Sequence, residues 1–442
     1  MYALELPIGS TGLEPRLERR YGKLVMAHLH AMEHLAAGLK ALPGVESSFA
    51  TTQAMWRFLN NEDVTLTALA EPLLAAAQAQ AARTRADYLL VMHDWSRLDF
   101  AAHTAKADRL QMTHAHDVGY ELQSSLLVDA VAGLPIAPLV QNLVSAEGVL
   151  STRGAVAPGQ THLDELSERL AWLEAQELAR PLVHIIDREA DSAAHLRQWH
   201  EWYWLIRARE SSTVQHDGTT QKLAAIADTL TYSPAGDAQY KGRTAALYVA
   251  EAAVTLVRPA RPKRAAAATG RRPAPVKGEP LAMRLIVVRV QARGATRPLA
   301  QWTLLANLPA TVAPATLACW YYWRWRIESY FKLLKSAGHH VEQWQQHSAP
   351  AIARRLLIAA QACVTVWRLN LRQDAQAAEA RAFLARLSGR QIKPDRLPAP
   401  SALLAGLYRL LTTLMLLEHY PPEQLLRLAR DALGLLQGGE DV

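Results

Sequence analysis

Two short apolar segments, each followed by an aspartate, restrict the fold of this 442-residue chain more than any other feature. The first, LLVMH, precedes Asp94, and the second, LVHII, precedes Asp187. Apolar runs of this length are typical of strands that are buried inside a sheet. A carboxylate directly after such a strand lies at the carboxyl edge of the sheet, where open α/β folds bind their ligands. The segments predict an α/β core with two acidic side chains at one edge, although an aspartate in this position also serves as a turn residue or a helix cap.

Helical periodicity dominates both ends of the chain. It predicts helices near 21–42, 51–60 and 65–83, and again from 349 onward. Between them, strand signals near 121–143, 182–186 and 204–208 alternate with helices near 161–179 and 192–200. Scattered strand signals predict a β-rich insertion at about 209–300. The expected fold class is α/β, with helical parts at 1–82 and 371–442 on either side of a core at 83–370.

One basic segment accounts for the whole net charge. The chain has 48 basic and 41 acidic side chains, and seven of the basic ones lie between Arg258 and Lys277, a stretch without an acid. Without these seven, acidic and basic side chains would be equal in number. A basic run rich in Pro, Gly and Ala is either a solvated linker or a contact to a polyanion such as a nucleic acid backbone.

Composition indicates a soluble protein of a reducing compartment. Half of the residues are apolar and a fifth are charged, which excludes disordered and collagen-like chains. Cys319 and Cys363 cannot form a disulfide framework or a cysteine-rich zinc site. The N-terminal residues lack the pattern of a secretory signal, and the apolar stretch 403–417 is interrupted by Arg409 and is too short to span a bilayer. We therefore expect a cytoplasmic protein without a membrane partner.

The segment CWYYWRWRIESYFKLLK, at 319–335, carries an unusual set of polar side chains. Its periodicity predicts one long helix from Pro314 to about Ser336. The residues within about 40° of Glu328 on this helix are Tyr321, Arg324, Lys332 and Lys335. A ladder of exposed i, i+4 ion pairs would explain the alternating charges, but it gives no reason for a tyrosine on the same face.

The spacing Y-x2-R-x3-E-x6-K, formed by Tyr321, Arg324, Glu328 and Lys335, resembles the YREK signature of the insertion sequence 4 family of bacterial DDE transposases. The segment from Asp187 to Asp191, DREAD, resembles the second-aspartate motif of that family, and Asp94 stands where its first aspartate belongs. The family usually has Thr or Ser right after the first aspartate, whereas this chain has Trp95. Asp99 is therefore a rival, but we prefer Asp94 because it ends the predicted strand.

The resemblance implies a ribonuclease H-like catalytic core at 83–370 with the β-rich insertion at about 209–300. It also implies a helical DNA-binding domain at 1–82 and a helical dimerisation region at 371–442. The implied reaction is cut-and-paste transposition, in which the transposon ends are cleaved through a DNA hairpin and the 3′-ends are joined to target DNA. The implied partners are transposon-end DNA, target DNA and a second copy of the chain, in the bacterial cytoplasm at the nucleoid.

The expected site residues follow from this resemblance and from their chemistry. Three carboxylates without a cysteine or histidine cluster suit a hard cation such as Mg²⁺, with Mn²⁺ as a substitute. Asp94, Asp187 and Glu328 are the expected catalytic residues and the expected ligands of a pair of such ions. DNA contacts are expected from Tyr321, Arg324, Lys332, Lys335, Trp302, Arg19, Arg20 and Arg188. Trp302 has a second interpretation as a core tryptophan, and Arg19 and Arg20 have one as the start of a solvated helix.

Three other functions stay open in the sequence. The segment from His30 to His34 matches H-x-x-E-H, the inverted motif of some zinc peptidases. Its histidines are predicted on the solvent face of the first helix, whereas a peptidase zinc site faces a walled cleft. A DNA-binding inhibitor of transposition without catalysis is the second alternative, and the complete carboxylate set argues against it. The third is a ribonuclease H-like nuclease that does not recognise transposon ends.

Overall fold

The computed structural model describes residues 9–30, 48–240, 243–260, 274–292, 297–390 and 396–437. Within these residues the chain forms a mixed sheet of thirteen strands with helices packed against it. The strands are β1 (Leu89–Asp99), β2 (Leu110–Gln111), β3 (Val118–Asp129), β4 (Pro135–Ser145), β5 (Gly148–Ser151), β6 (Leu182–Ile186), β7 (Tyr203–Arg207), β8 (Thr213–His216), β9 (Thr219–Lys222), β10 (Ser233–Tyr240), β11 (Arg243–Leu256), β12 (Leu281–Gln291) and β13 (Ala300–Ala306).

The described helices occur in three groups along the chain, one before the sheet, one between its strands and one after it. They are α1 (Pro15–His30), α2 (Ser48–Leu59), α3 (Leu66–Ala81), α4 (His162–Glu174), α5 (Ala193–Gln198), α6 (Leu223–Thr229), α7 (Pro314–Tyr322), α8 (Trp325–Leu334), α9 (Ala349–Leu371), α10 (Ala375–Leu387), α11 (Pro400–His419) and α12 (Pro422–Gln437). The order of helices, mixed α/β and helices is the predicted one.

β1 lies at the centre of the core half of the sheet, between β3 and β6. It pairs antiparallel with β3 along its whole length and parallel with β6 over Leu89–Met92. β6 in turn pairs parallel with β7, and the full strand order is β5-β4-β3-β1-β6-β7-β13-β12-β11-β8-β9. All five residues of β6 and the first four of β1 are buried. The two apolar segments of the sequence are therefore buried strands, as predicted, and the structure pairs them as parallel neighbours.

The strands of the predicted β-rich insertion extend the same sheet. β13 pairs antiparallel with β7, and β12 and β11 continue the sheet outward to β8 and β9. Their apolar side chains join those of α4, α5 and α6 in a hydrophobic cluster that contains Trp199 and Trp204. The insertion thus lengthens the core sheet and shares its packing.

The N-terminal and C-terminal helices meet on α9. Helices α1 and α3 pack against α9 from one end of the chain, and α10 and α11 pack against it from the other. α9 and α3 also contact β4, so the helices and the core sheet share one large hydrophobic cluster. This arrangement ties the first helices of the chain to the edge of the sheet that bears β4.

Two of the described helices, α9 and α11, are long and apolar enough to cross a membrane by length and composition. In α9, 83% of the most apolar stretch is buried inside the protein, and in α11 the buried share is 33%. α11 has 20 residues, so it is longer than the apolar stretch that the sequence indicated. Core helices of ordinary globular proteins meet the same criterion, which makes this a weak indication.

The predicted single helix at 314–336 is wrong in one respect, because it is divided into α7 and α8. Between the two, Arg326 donates a backbone hydrogen bond to Trp323 at 2.8 Å and Ile327 donates one to Arg324 at 3.2 Å. These bonds span three residues instead of four, so the chain tightens locally between the two helices. α8 also ends at Leu334, which leaves Lys335 outside the helix.

Neither glycine nor proline lies at this break, and Trp323, which caps the end of α7, packs against another part of the fold. Trp323 packs against the turn between β3 and β4, where its ring contacts Gly133. A Cβ atom added to Gly133 would be 2.4 Å from that ring, and the φ angle of Gly133 is +63°. The turn therefore needs a glycine for two reasons, the left-handed backbone and the close approach of the indole.

Replacing Gly133 with alanine should destabilise the fold more than the backbone angle alone explains. Gly159 is the matched control, because its φ angle is +73° and an added Cβ would meet no atom within 4 Å. We expect Gly159→Ala to lower the free energy of unfolding by about 1 kcal/mol, and Gly133→Ala by about 2–4 kcal/mol because the indole must also move. Urea unfolding measures both, and equal losses would show that the Trp323 contact carries no weight.

Candidate active site

Three carboxylates from distant parts of the sequence converge at the carboxyl edge of β1 and β6. Asp187 directly follows β6, and Asp94 lies two residues beyond Met92, the last residue of β1 that pairs with β6. Glu328 lies in the first turn of α8, within hydrogen-bonding reach of Asp94. β1 continues beside β3 as far as Asp99, so Asp94 is not at the end of the strand as predicted. It marks instead the end of the parallel pairing.

Asp99, the rival first carboxylate, lies away from this group. Its backbone N–H donates to Glu342 Oε1 at 3.0 Å, and its carboxylate accepts a hydrogen bond from the N–H of Ala101 at 2.9 Å. These contacts hold the loop after β1. The geometry therefore favours Asp94 as the first carboxylate.

Arg324 lies between the two aspartates and contacts both. Its Nη1 donates to Asp94 Oδ2 at 2.6 Å, and its Nη2 is 3.4 Å from Asp187 Oδ2. Only 8% of the side chain is exposed. The arginine can take this position because it stands at the break between α7 and α8, directly before the first turn that carries Glu328.

The surroundings of the carboxylates favour a positive partner. Burial raises the pKa of Asp94, and the charge of Asp187 adds to this while Arg324 opposes it. Burial also raises the pKa of Glu328, as do the charge of Asp94 and the hydrogen bond to it. Carboxyl groups that are buried close together are stabilised in their charged form by a nearby cation. Arg324 is such a cation for both aspartates, and Arg207 lies 4.0 Å from Asp187.

Asp187 is held from a second side by Tyr321 and Arg207. The buried hydroxyl of Tyr321 donates to Asp187 Oδ1 at 3.3 Å, and Nη1 of Arg207 is 4.0 Å from the same oxygen. Burial and the charge of Asp187 raise the pKa of Tyr321, which keeps it a hydrogen-bond donor. The sequence did not indicate Arg207, although its place at the end of β7, the strand next to β6, is the signal that would have found it.

The cationic side chains near the site differ in whether they are free to contact a ligand or are already bonded within the protein. Lys332 and Arg188 are exposed and can reach a ligand. Lys335 donates to the carbonyl of Arg97 at 2.5 Å and pairs with Glu342 at 2.9 Å. It is therefore tied to β1 and to the turn after α8, directly after the last residue of that helix.

Trp302 lies in the core, which is the second of the two interpretations that the sequence allowed. Trp302 is 7% exposed. The centroid of its ring is 5.6 Å from that of Tyr321 and 6.5 Å from that of Tyr322. A ring in this position cannot stack on an extruded base without repacking of the core. Its contact with Tyr321 instead supports the tyrosine that holds Asp187.

A basic cleft lies between α1 and α2, at the N-terminal end of the described chain. Its volume is about 690 Å³. Five cationic residues line it together with the two acidic residues Glu14 and Asp63; the cations are Arg16, Arg19, Arg20, Lys23 and Arg57. Arg19 and Arg20 thus line a concave surface with other cations. The interpretation as the start of a solvated helix does not require such a surface.

A second group of polar side chains lies beside Asp94, around His162 at the N-terminus of α4. The sequence pattern did not indicate it. His162 Nε2 is 3.1 Å from Glu121 Oε1, and its Nδ1 is 3.9 Å from Glu189 Oε2. The ring of His162 also lies 5.2 Å from that of Trp95, the residue after Asp94. Hydrogen bonds to the two carboxylates raise the pKa of His162 to about 10. The members come from four separate elements, so no local spacing could have shown them.

Asp191, the last residue of the DREAD motif, has a structural role. Its buried carboxylate accepts hydrogen bonds from the N–H of Arg209 at 2.8 Å and from the hydroxyl of Ser212 at 2.5 Å. It also pairs with Arg258, which opens the basic segment of the insertion. The motif that supplies Asp187 therefore also anchors the insertion to the same edge of the sheet.

The basic segment itself is described only at its two ends. The backbones of Ala260 and Val276 pair with each other, which brings these ends together. Residues 261–273, with five of the seven basic side chains, lie outside the described residues. Glu33 and His34 of the H-x-x-E-H motif also lie outside them, as does the side chain of His30.

The carboxylates fit a divalent cation in donor type and in charge. Their donors are all oxygen, which hard cations such as Mg²⁺ prefer. In the described part of the chain, no three His, Cys, Asp or Glu side chains are spaced to hold a metal ion as they stand. The position between Asp94 and Asp187 is held by the guanidinium of Arg324.

Comparisons with known proteins assign the chain to no family. No family model matches it, and no curated protein matches it. Among solved structures it is similar to the cryo-EM structure of a piggyBac transposase synaptic complex with hairpin DNA. The similarity covers 94% of this chain and 74% of that chain, at 10% identity and a TM-score of 0.39. A similarity this low carries no argument, so the residues and their geometry must carry the functional conclusion.

Replacing His162 with glutamine should weaken the fold in a pH-dependent way. Because Glu121 and Glu189 raise the pKa of His162 from 6.5 to about 10, its charge stabilises the folded state fully below about pH 6.5. This contribution is lost as the pH rises through about 10. The side chain is half exposed, so we expect a loss of less than about 1 kcal/mol at neutral pH.

Chemical denaturation of the wild type and of His162→Gln at neutral and at alkaline pH measures this effect. The two proteins should be equally stable near about pH 11, where the histidine is neutral in both states. His200→Gln is the control, since His200 is exposed and its imidazole bonds the carbonyl of Arg197. A loss at His162 that is the same at both pH values would contradict the ion-pair explanation.

Proposed function

We propose that this chain is a DDE transposase of the insertion sequence 4 type, which cleaves DNA at the ends of its element by metal-dependent phosphoryl transfer. The observation that carries the proposal is the meeting of Asp94, Asp187 and Glu328 at one edge of the sheet. Tyr321 and Arg324 of the resembled signature bond to the same aspartates. A ladder of exposed ion pairs would leave these buried contacts unexplained.

The strand order supports the proposed ribonuclease H-like core. Among β1, β3, β4, β6 and β7, the spatial order is third, second, first, fourth and fifth. The second of these strands is antiparallel to its neighbours, and the fourth and fifth run parallel to the first. This order places the carboxylates of the first and fourth strands side by side, which a catalytic core with two strand-borne aspartates requires.

Asp94, Asp187 and Glu328 are the proposed ligands of Mg²⁺, with Mn²⁺ as a substitute. A pair of such ions, when bound, activates the attacking oxygen and stabilises the leaving oxygen of an in-line displacement at phosphorus. The protein contributes the orientation of the ligands. Tyr321 fixes one oxygen of Asp187, and the N–H of Trp95 fixes one oxygen of Asp94 at 2.9 Å.

Cationic side chains around the carboxylates are the proposed contacts for the DNA backbone. Arg324 can donate to two phosphate oxygens at once, and Lys332 and Arg188 are exposed beside it. The cleft between α1 and α2 is a separate basic surface that suits the duplex of a transposon end. Selective cleavage at a transposon end needs one site for the scissile phosphate and a separate site for the flanking duplex.

The proposed course of the reaction follows the resemblance. Cleavage frees a 3′-hydroxyl at the transposon end, this hydroxyl attacks the opposite strand to form a hairpin, and the reopened end is joined to target DNA. Two ends must be held together, so a homodimer on DNA is part of the proposal, with 371–442 as its dimerisation region.

Glu328→Ala should abolish cleavage and leave DNA binding intact. The wild type, incubated with Mg²⁺ and DNA that carries the ends of its element, should give nicked and hairpin products on denaturing gels. Loss of the carboxylate should lower the cleavage rate by roughly 10²–10³-fold or more, while no DNA-contacting cation is removed. Glu201→Ala is the control, because this exposed glutamate precedes β7 at the opposite edge of the sheet.

Other outcomes of this experiment separate the alternatives. Equal cleavage by the wild type and by Glu328→Ala would contradict the role of Glu328. Cleavage without preference for the ends and without hairpins would indicate a plain nuclease. Specific binding without cleavage by the wild type would indicate an inhibitor of transposition.

Deleting the basic residues at 261–273 should change how DNA binding depends on salt. A protein that neutralises fewer phosphates releases fewer counterions, so the slope of the binding constant against salt becomes less steep. Catalysis at low salt should be kept, because the segment contains none of the site carboxylates. Binding measured across a salt series tests this, and an unchanged slope would favour the solvated-linker interpretation.

A further inference from the structure

Arg324 holds both aspartates of the proposed metal site through the same type of oxygen. Its Nη1 contacts Asp94 Oδ2 at 2.6 Å, and its Nη2 is 3.4 Å from Asp187 Oδ2. The side chains of Arg324 and Asp94 are largely shielded from water, so their attraction is screened less than that of a surface ion pair. A cation that bridged the two aspartates would have to take oxygen atoms that the arginine now holds.

The other oxygen of each aspartate is fixed by different groups. Asp94 Oδ1 accepts the hydrogen bond of the Trp95 N–H, and Asp187 Oδ1 accepts that of the Tyr321 hydroxyl. Both carboxylates therefore stay oriented by contacts that do not involve Arg324. If the guanidinium moves away, the two Oδ2 atoms lose their nearest cation and become accessible to another one.

Arg324 is also incompletely hydrogen-bonded in this arrangement. Its Nε is buried and has no hydrogen-bond partner among the described residues. A guanidinium can present Nε and one Nη together to two oxygens of one phosphate, a geometry that two separate carboxylates do not provide. A DNA phosphate would thus satisfy a donor that the DNA-free protein leaves unpaired.

We propose that Arg324 blocks divalent-cation binding in the DNA-free protein and is drawn off the aspartates by a DNA phosphate, so that DNA and metal bind cooperatively. This inference rests on the proposed function for the existence of the two sites and adds the coupling between them. Coupling between two ligands is reciprocal, so Mn²⁺ must raise the affinity for DNA by the factor by which DNA raises the affinity for Mn²⁺.

The test is a titration of the full chain with Mn²⁺, in which the electron paramagnetic resonance signal reports the free ion. We expect Arg324→Gln to bind Mn²⁺ about tenfold more tightly than the wild type without DNA. A precleaved duplex of the element's end should raise the affinity of the wild type by a similar factor and that of Arg324→Gln by much less.

Arg207→Gln is the matched control for charge. It removes a cation 4.0 Å from Asp187 Oδ1 but leaves the bridge between the two aspartates in place. We expect its Mn²⁺ affinity to change by less than about threefold, as for a partly exposed charge near the site. Thermal melting of each variant shows whether it is folded, and the effect of DNA on the wild type tests the coupling even if Arg324→Gln does not fold.

The possible results separate failure of the coupling from failure of the proposed function. Mn²⁺ binding by the wild type that is equally tight with and without DNA would overturn the blocking role of Arg324 and leave the metal site standing. An equal gain of Mn²⁺ affinity in Arg207→Gln and Arg324→Gln would show that the effect comes from net charge alone. It would also overturn the blocking role of Arg324. No Mn²⁺ binding by any of the proteins, with or without DNA, would overturn the proposed metal-dependent function itself.

Discussion

The contact of the Arg324 guanidinium with Asp94 and Asp187 determines how the candidate site is built. Two carboxylates on adjacent parallel strands repel each other when they are partly buried, and a shared cation offsets that repulsion. Arg324 stands between α7 and α8, next to Trp323, whose ring packs against Gly133 in the turn between β3 and β4. The arginine that contacts both aspartates is therefore adjacent to a residue packed on that turn.

The rest of the fold keeps these parts in register. β1 pairs with β3 along its whole length, Asp94 included, and with β6 as far as Met92, so the position of Asp94 follows from the sheet and not from a loop. On α4, a buried ion pair between Glu165 and Arg169 supports the layer that also carries His162. α9 joins the N-terminal helices, and with them the basic cleft, to the sheet. The distance from the cleft to the carboxylates is therefore a property of the packed core.

The sequence predicted the acidic half of the site better than its cationic half. Asp94 and Asp187 follow from apolar strands, a signal that a short window contains, and Glu328 keeps its place within a true helix. Lys335 lies directly after α8, where it bonds the carbonyl of Arg97 and pairs with Glu342, two partners that its spacing to Glu328 did not indicate. The helix break could not be predicted from the local sequence, because neither glycine nor proline lies at it. The same holds for His162, whose partners come from other strands and turns.

A crystal structure of the full chain with Mn²⁺ and the DNA end, with anomalous scattering to locate the metal, tests the proposed site most directly. We expect Mn²⁺ within about 2.0–2.3 Å of oxygen atoms of both Asp94 and Asp187, and the Arg324 guanidinium on a DNA phosphate. Mn²⁺ bound elsewhere, or Arg324 still between the two aspartates while DNA occupies the site, would contradict this expectation.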